Sequence, residues 1–231
     1  MRRSAVIPAF QAAASLGAVV EEFQRLSEKE SLPIVVVDDG STDATSEVAR
    51  RAGARVLRHE VNRGKGAALK TGLRHALELG ADVAVSLDAD GQHPASEAWR
   101  VLSHGAPKTA LVLGVRQLRE AGAPRSNRFS NEFSNVFLSW FSGRRLNDTQ
   151  CGLRRYPVRS TLELGVRADG YAFEAEVVLR AARLGIELFE LPIRALYGPE
   201  HRRGSHFHAV RDPAKIVFSV VKTALTVRAA R

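Results

Sequence analysis

Two aspartates, Asp88 and Asp90, follow an apolar run at Val83–Leu87 that has the length and composition of a buried strand. Carboxylates two residues apart at the end of a strand can approach one hard cation together. Such a pair binds Mg²⁺ or Mn²⁺ and leaves other coordination positions to water and to phosphate oxygens. The sequence therefore predicts a divalent-cation site at this point.

A second acidic pair, Asp38 and Asp39, ends the β-branched run Ile34–Val37. In an open parallel sheet, ligands bind beyond the carboxyl ends of the strands, so we expect both acidic pairs to face one crevice. Acids at strand ends can also cap the helix that follows. For Asp38 and Asp43, the sequence is equally compatible with capping and with ligand binding.

The elements that must position these acids alternate between strand and helix. Continuous apolar runs are typical of strands covered on both faces, and a 3.6-residue period indicates helices. The first half predicts strands at Ala5–Ile7, Ile34–Val37, Arg55–Arg58 and Val83–Leu87, and helices at Leu16–Leu26, Ala44–Ala52 and Gly66–Leu79. The second half predicts strands at Ala110–Val115 and Ile186–Ile193, helices at Phe129–Phe141 and Ala172–Leu184, and an amphipathic C-terminal helix at about 213–228.

This alternation predicts an α/β fold: a Rossmann-like three-layer sandwich with a mostly parallel central sheet. No segment rich in Gly, Ser or Pro divides the chain, so we expect one domain over residues 1–231. The aromatic stripe from Phe129 to Trp140 is expected to pack in the core, with a lipid groove as the alternative.

Composition and charge exclude several classes of protein. The 231 residues, 45% of them hydrophobic, can bury one core, but no apolar run approaches the roughly 18 residues of a membrane span. We expect no secretory signal, because no hydrophobic stretch follows Met1, and the single cysteine, Cys151, suits a reducing, cytoplasmic compartment. The net charge of +9 suits nucleic acid, anionic lipid or a phosphorylated substrate. The few aromatic residues form no stacking pattern, so nucleic acid is not expected as a partner.

Five segments in series carry a family resemblance: Val6–Phe10, Val37–Thr45, Asn62–Ala68, Asp88–Pro94 and Asp148–Arg154. In order and approximate spacing they resemble family 2 glycosyltransferases, and most closely the dolichyl- and polyprenyl-phosphate sugar transferases. The resemblance implies a GT-A fold, a nucleotide-sugar donor, a divalent cation (Mg²⁺ or Mn²⁺) and inversion at the anomeric carbon.

The resemblance also implies roles for residues at matching positions. Nucleotide-sugar contacts fall on Pro8, Ala9, Phe10, Asp38, Asp39, Lys65, Asp88 and Arg116. Metal ligands fall on Asp88, Asp90 and Gln92, and catalytic roles on Asp90, Arg116 and Glu174. Where the family has Asn-Glu after the aromatic residue, this chain has Gln11-Ala12, which leaves guanine or uracil open as the donor base.

Two acceptors remain open, a lipid phosphate and a hydroxyl. A basic segment after residue 200 is similar to the acceptor-phosphate segment of the lipid-phosphate enzymes and implies phosphate ligands at Arg202, Arg203 and Ser205. A hydroxyl acceptor needs a general base. Glu174 and Glu176 diverge by about 200° on a helix, so at most one of them faces the site, and Glu174 is the stronger candidate.

We therefore expect a cytoplasmic, metal-dependent, inverting glycosyltransferase that moves a hexose from a donor such as GDP-mannose or UDP-glucose to a polyprenyl phosphate. The alternative is transfer to a saccharide or lipid hydroxyl with Glu174 as general base. We expect the enzyme to reach its lipid acceptor as a peripheral protein at the inner face of the membrane or through a membrane-protein partner. We further expect Asp148, Gln150 and Arg154 to line the crevice and Cys151 to be a packed residue.

Overall fold

A computed structural model describes residues 1–197 and 211–226 of the chain. Within these residues, one sheet has seven strands. They are β1 (Arg3–Ala9), β2 (Ile34–Asp38), β3 (Arg55–Arg58), β4 (Val83–Ser86), β5 (Leu111–Arg116), β6 (Arg154–Pro157) and β7 (Leu188–Ile193). No helix among the described residues is both long enough and apolar enough to cross a membrane.

The strands lie in the order β3-β2-β1-β4-β6-β5-β7. Four pairings are parallel: β1 with β2, β1 with β4, β2 with β3, and β5 with β7. Only β6 runs against its neighbours, β4 and β5. The mostly parallel α/β sheet predicted from the sequence is confirmed.

Helices cover both faces of this sheet. The described helices are α1 (Leu16–Ser27), α2 (Thr45–Arg51), α3 (Lys65–Glu78), α4 (Ala95–Leu102), α5 (Arg125–Ser142), α6 (Val158–Glu163), α7 (Ala172–Arg183) and α8 (Arg211–Thr226). One core joins α1, α2 and α4 to one face of the sheet. The other joins α3, α5, α6, α7 and α8 to the opposite face. Alternation along β1, where Ala5 and Ile7 enter the first core and Val6 the second, explains how one sheet supports both layers.

Strand β6 was not predicted from the sequence. Its residues are two arginines, a tyrosine and a proline, which give no apolar run or alternation that would indicate a strand. All four are nevertheless buried, because the strand lies between β4 and β5 in the middle of the sheet. Its reversed direction brings the residues just before Arg154 to the edge where β4 and β5 end.

The expectation that the aromatic stripe of α5 packs in the core is wrong. Phe129, Phe133 and Trp140 are exposed, whereas Ser134 and Leu138 face inward. The helix was placed correctly, but of the four aromatic residues from Phe129 to Trp140 only Phe137 is half-buried and, with Phe141, packs against the core.

Candidate active site

The site residues come together at one edge of the sheet. Strands β1, β2, β4 and β5 end there, and antiparallel β6 begins there. Both acidic pairs lie at this edge, since Asp38 ends β2 and Asp88 follows β4 by two residues. Loops at the carboxyl ends of parallel strands form the usual ligand crevice of open α/β sheets.

Lys65, the first residue of α3, lies between two carboxylates. Its Nζ is 2.6 Å from Asp88 Oδ1 and 3.1 Å from Glu174 Oε1. Burial disfavours the ammonium ion, but the charges of Asp88 and Glu174 outweigh burial and raise the pKa of Lys65. Burial likewise acts against the Asp88 carboxylate, but Lys65, His93 and Arg116 together outweigh burial, so that the pKa of Asp88 is lowered. Lys65 therefore joins Asp88 and Glu174 in one cluster of ion pairs.

Gly152 allows this cluster to form. A Cβ atom at this position would lie 2.6 Å from Lys65 Nζ and 2.7 Å from Asp88 Oδ2, which is closer than such atoms can approach. The Gly152 carbonyl also accepts a hydrogen bond from Ser86 Oγ at 2.5 Å, which fixes the loop before β6 against the end of β4. A residue with a side chain fits here only if the ends of the Lys65 and Asp88 side chains move apart.

Arg116, at the end of β5, is held in place by Asp148. Its Nε donates to Asp148 Oδ2 at 2.7 Å and its Nη2 to Asp148 Oδ1 at 3.0 Å, a bidentate pair, while its backbone N–H also donates to Oδ2. Its remaining terminal nitrogen, Nη1, lies 3.3 Å from the hydroxyl of Tyr197. Burial opposes the charge, but Asp148 outweighs it and the pKa of Arg116 is raised. The guanidinium is therefore a permanent, oriented cation at the site.

The two aspartates after β2 are already bonded inside the protein. Asp38 accepts hydrogen bonds from Ser41 N and Ser46 Oγ, which tie it to the loop before α2 and to the first turn of α2, but it does not cap that helix. Asp39 accepts from His59 Nδ1 at 2.6 Å and from Gly64 N at 2.7 Å. Asp39 thus fixes the turn that precedes Lys65. Contacts of either aspartate with a donor base remain predictions.

The segment after β1 is joined to the loop after β2. Pro8 and Ala9 are buried β1 residues, and Phe10 follows them, half-buried. Gln11 adopts a left-handed backbone with φ 50° and accepts hydrogen bonds from the N–H groups of Thr42 and Asp43. Gln11, where the family has Asn, therefore holds the two loops together through its side-chain amide.

The predicted metal ligands lie in one turn after β4. Ser15 Oγ donates to the Ala89 carbonyl at 2.7 Å, and Leu196 N donates to the Gln92 carbonyl at 2.8 Å, so the turn is anchored on both sides. The backbone N–H of Gln92 also donates to Asp90 Oδ1 at 2.9 Å.

Two carboxylates and an amide are hard oxygen donors that suit Mg²⁺ or Mn²⁺. Among residues 1–197 and 211–226, no group of three or more His, Cys, Asp or Glu side chains could hold a metal alone. The donor set of Asp88, Asp90 and Gln92 therefore fits a cation that takes its other ligands from phosphate and water.

The two glutamates of α7 point to different surroundings. Glu174 contacts Lys65, whereas Glu176 accepts hydrogen bonds from the N–H groups of Arg167 and Ala168 and pairs with Arg180. Glu176 is thus engaged in holding the segment before α7. The structure brings only Glu174 to the site.

Three residues of the segment before β6 were expected to line the crevice. Asp148 and Arg154 are fully buried and lie beneath it, so for these two the expectation is wrong. Gln150 is half-buried and donates to Ser130 Oγ of α5 at 3.1 Å. Cys151 is buried as expected, and burial, with Asp148 adding to it, raises the pKa of its thiol to about 12. Arg202, Arg203 and Ser205 lie outside the described residues.

Sequence reasoning missed two contributors to the site. Tyr197 follows β7 and contacts Arg116 only because β7 lies beside β5. Gly152 stood in a recognised segment, but its contact with Lys65 depends on the unpredicted direction of β6. For Gly152, the only sequence signal was a glycine with polar residues near it on both sides, Asp148–Gln150 and Arg154.

Comparison with known proteins supplies the family. The family model described as "Glycosyl transferase family 2" matches residues 4–159. The chain is 32% identical over 201 residues to an uncharacterized protein of Methanocaldococcus jannaschii, covering 83% of this chain and 80% of that protein. It is 32% identical over 172 residues to undecaprenyl-phosphate mannosyltransferase of Micrococcus luteus, covering 69% and 70%. It is 26% identical over 215 residues to UDP-N-acetylglucosamine–dolichyl-phosphate N-acetylglucosaminyltransferase of Methanococcus voltae, covering 83% and 84%.

Solved structures share the fold. Glucosyl-3-phosphoglycerate synthase of Mycobacterium tuberculosis, crystallised with Mn²⁺, UDP and phosphoglyceric acid, has a TM-score of 0.75 at 22% identity, over 96% of this chain and 78% of that chain. Mannosyl-3-phosphoglycerate synthase of Rubrobacter xylanophilus has a TM-score of 0.65 at 23% identity, over 97% and 73%. The similarity places the sheet and its helices among the GT-A glycosyltransferases.

Proposed function

Because the chain belongs to glycosyl transferase family 2, we propose that it is a metal-dependent, inverting glycosyltransferase that moves a hexose from a nucleoside-diphosphate sugar to a polyprenyl phosphate. The observation that carries this proposal is the arrangement at the sheet edge: carboxylates for a divalent cation beside the fixed cations Lys65 and Arg116. Such a set matches a reaction in which negative charge develops on a departing diphosphate.

The donor is a nucleotide-sugar of the GDP-mannose or UDP-glucose type. Relatives named for mannosyl transfer to undecaprenyl phosphate and for N-acetylglucosaminyl transfer to dolichyl phosphate support a nucleotide-sugar donor without distinguishing the base. Arg116 is a cation that Asp148 holds in a fixed orientation, and its Nη1 contacts the Tyr197 hydroxyl. A guanidinium fixed in this way at the site supports a contact with the donor phosphates. Asp88, Asp90 and Gln92 would hold the cation, which when bound neutralises charge on the diphosphate.

An anionic lipid phosphate is the acceptor that the geometry favours. A hydroxyl acceptor needs a base within hydrogen-bond reach of its proton. Glu174 is the candidate, but its Oε1 pairs with Lys65 and its side chain is only 7% exposed. A phosphate monoester is already ionised and needs only positioning. In the proposed step, a phosphate oxygen forms a bond to the sugar C1 as the bond from C1 to the nucleoside diphosphate breaks.

A lipid acceptor implies contact with a membrane. We propose a cytoplasmic enzyme that works peripherally at the inner face of the membrane or beside a membrane-protein partner. The proposed acceptor-phosphate ligands Arg202, Arg203 and Ser205 belong to the same proposal, and the basic balance of the chain is compatible with it.

The test is a donor panel. The full chain is incubated with undecaprenyl phosphate, Mn²⁺ and, in turn, GDP-mannose, UDP-glucose and UDP-N-acetylglucosamine, and lipid-linked sugar is measured by mass spectrometry. We expect one hexose donor to give product, and both Asp90→Asn and removal of Mn²⁺ to abolish it. Product formation that is unaffected by chelation would contradict the metal requirement, and no product with any donor would contradict the proposed reaction.

Transfer to a saccharide or lipid hydroxyl is the second candidate, and Glu174 at the site is the observation that favours it. The Glu174→Gln variant separates the two, with Glu176→Gln as the matched control on the same helix. Loss of about 10²–10⁴-fold in kcat with donor binding retained would identify a general base and favour the hydroxyl. Transfer to undecaprenyl phosphate by Glu174→Gln within tenfold of wild type would favour the lipid phosphate.

A further inference from the structure

Helix α5 exposes an apolar face to solvent. Phe129, Phe133, Val136 and Trp140 have exposed fractions of 73%, 57%, 73% and 78%. At about 100° per residue, these four positions fall within about 60° of one another around the helix axis. We call them the α5 stripe. They account for four of the eleven large hydrophobic side chains exposed among the described residues, and such a contiguous apolar patch marks an interaction surface.

The opposite face of α5 explains why the stripe points outward. Ser134 Oγ lies 2.8 Å from Thr149 Oγ1, and Asn135 Oδ1 accepts hydrogen bonds from both Thr149 N and Thr149 Oγ1. Asn135 Nδ2 donates to the Asn147 carbonyl at 2.6 Å. The polar face therefore binds the loop that carries Asp148, the residue that orients Arg116. Rotating the helix to bury the aromatic side chains would break these hydrogen bonds.

The stripe is bordered by positive charge. Arg125 lies before it and Arg145 follows it, both exposed; Arg144 is exposed too, and its Nη2 donates to the Leu188 carbonyl at 2.9 Å. The acidic residue of the helix, Glu132, is 3.6 Å from Arg119. An apolar helical face with aromatic residues and arginines beside it is typical of a helix that lies in the interface of an anionic membrane.

The arginines also argue against a second copy of the chain as the occupant. If two α5 helices packed their stripes together antiparallel, Arg125 of each would face Arg144 and Arg145 of the other. A parallel pairing would place each arginine against its own counterpart. Like charges in contact oppose both arrangements, whereas anionic lipid head groups are attracted at either end of the stripe.

We propose that the α5 stripe is a membrane-docking surface that inserts into an anionic bilayer and brings the active-site loop to the lipid. The inference rests on the proposed function, because a lipid acceptor is what the enzyme would meet there. The C-terminal end of α8 lies next to that of α5, since Arg183 donates to carbonyls of both Phe141 and Ala224. Leu225 of α8 is also exposed.

Vesicle binding tests the docking surface directly. The full chain is sedimented with vesicles of equal parts phosphatidylcholine and phosphatidylglycerol that contain no polyprenyl phosphate. We expect Phe133→Ser combined with Trp140→Ser to weaken binding by about tenfold for each aromatic side chain removed. Leu26→Ser, an exposed leucine on α1 in the opposite layer, is the matched control and should bind as wild type.

Charge and fluorescence give independent readouts. Combined Arg125→Glu and Arg145→Glu substitutions should weaken binding to these vesicles by about tenfold or more and reduce its dependence on salt. The chain has two tryptophans, so Trp99→Phe leaves Trp140 as the sole reporter. Its emission should shift to the blue when phosphatidylglycerol vesicles are added.

Two results would overturn the inference. One is equal vesicle binding by wild type and the Phe133→Ser/Trp140→Ser variant, with no shift in Trp140 emission. The other is a dimer in sedimentation velocity that the same variant dissociates, without vesicle binding by either protein. Transfer to a short, water-soluble polyprenyl phosphate without vesicles separates this test from the proposed function. If this transfer fails while vesicle binding is intact, the proposed function is contradicted. If the transfer succeeds but the protein does not bind vesicles, the docking surface is contradicted.

Discussion

Arg154 and Arg155 are neighbours on β6 that hold opposite sides of the sheet together. Both side chains are fully buried, and each donates to three backbone carbonyls. Arg154 reaches Thr149, Cys151 and Glu174 at the active-site edge. Arg155 reaches His104, Ala106 and Pro107 in the loop after α4. Successive strand residues point to opposite faces, so one dipeptide supports both the site and the far loop.

The two arginines allow the same substitution to be compared beside the active site and away from it. Lysine cannot reproduce the fork of a guanidinium, so Arg154→Lys and Arg155→Lys should each lower the free energy of unfolding by about 3 kcal/mol. Only Arg154→Lys should also reduce kcat, by about a hundredfold, because it releases the Glu174 backbone and the Thr149–Cys151 segment. Urea unfolding and transfer kinetics on both variants are the measurements. Equal activity in the two variants would contradict a positioning role for Arg154.

Gly152→Ala should separate activity from stability. The added methyl group would meet the ends of the Lys65 and Asp88 side chains, which can swing aside, so we expect a loss in unfolding free energy of only about 1 kcal/mol. The displaced ion pair should lower kcat/KM by tenfold or more. Gly105→Ala, where a Cβ meets nothing within 4 Å, is the control and should keep both properties. Unchanged kinetics in Gly152→Ala would show that the cluster tolerates displacement.

Asp148→Asn should release Arg116. Removing one member of a buried ion pair leaves the other charge uncompensated, so we expect a destabilisation of about 3 kcal/mol and a weaker donor affinity. Calorimetric titration with the nucleotide and thermal unfolding measure the two effects. Asp82→Asn, which breaks the more exposed pair with Lys108, should stay close to wild type in both. Wild-type affinity in Asp148→Asn would argue against Arg116 as a donor-phosphate ligand.

The Cys151 thiol should be inert in the folded protein. Its pKa of about 12, against an ordinary value near 8.5, makes the thiolate about a thousandfold scarcer at pH 8, and the side chain is buried. Iodoacetamide should therefore label it only as fast as the protein unfolds, with rapid labelling in urea as the control. Cys151→Ser should retain transfer activity. Fast labelling without unfolding would contradict the burial.

The sequence by itself determined the alternation of elements, the acidic residues at the ends of β2 and β4, and the family. These features depend on residues close together in the chain: an apolar run defines a strand, and the acids that follow it lie at the strand's end. Local pattern also located α5, but not the direction in which its aromatic face points.

Tertiary structure decided the rest. The strand β6 has no local signal, and it forms because its backbone completes the sheet between β4 and β5. Lys65 meets Glu174, and Arg116 meets Asp148, only because helices and strands distant in sequence pack side by side. Charge pairing and the direction of a helical face depend on neighbours that periodicity does not specify. In α5, hydrogen bonds from the opposite face to the loop before β6 leave the α5 stripe exposed.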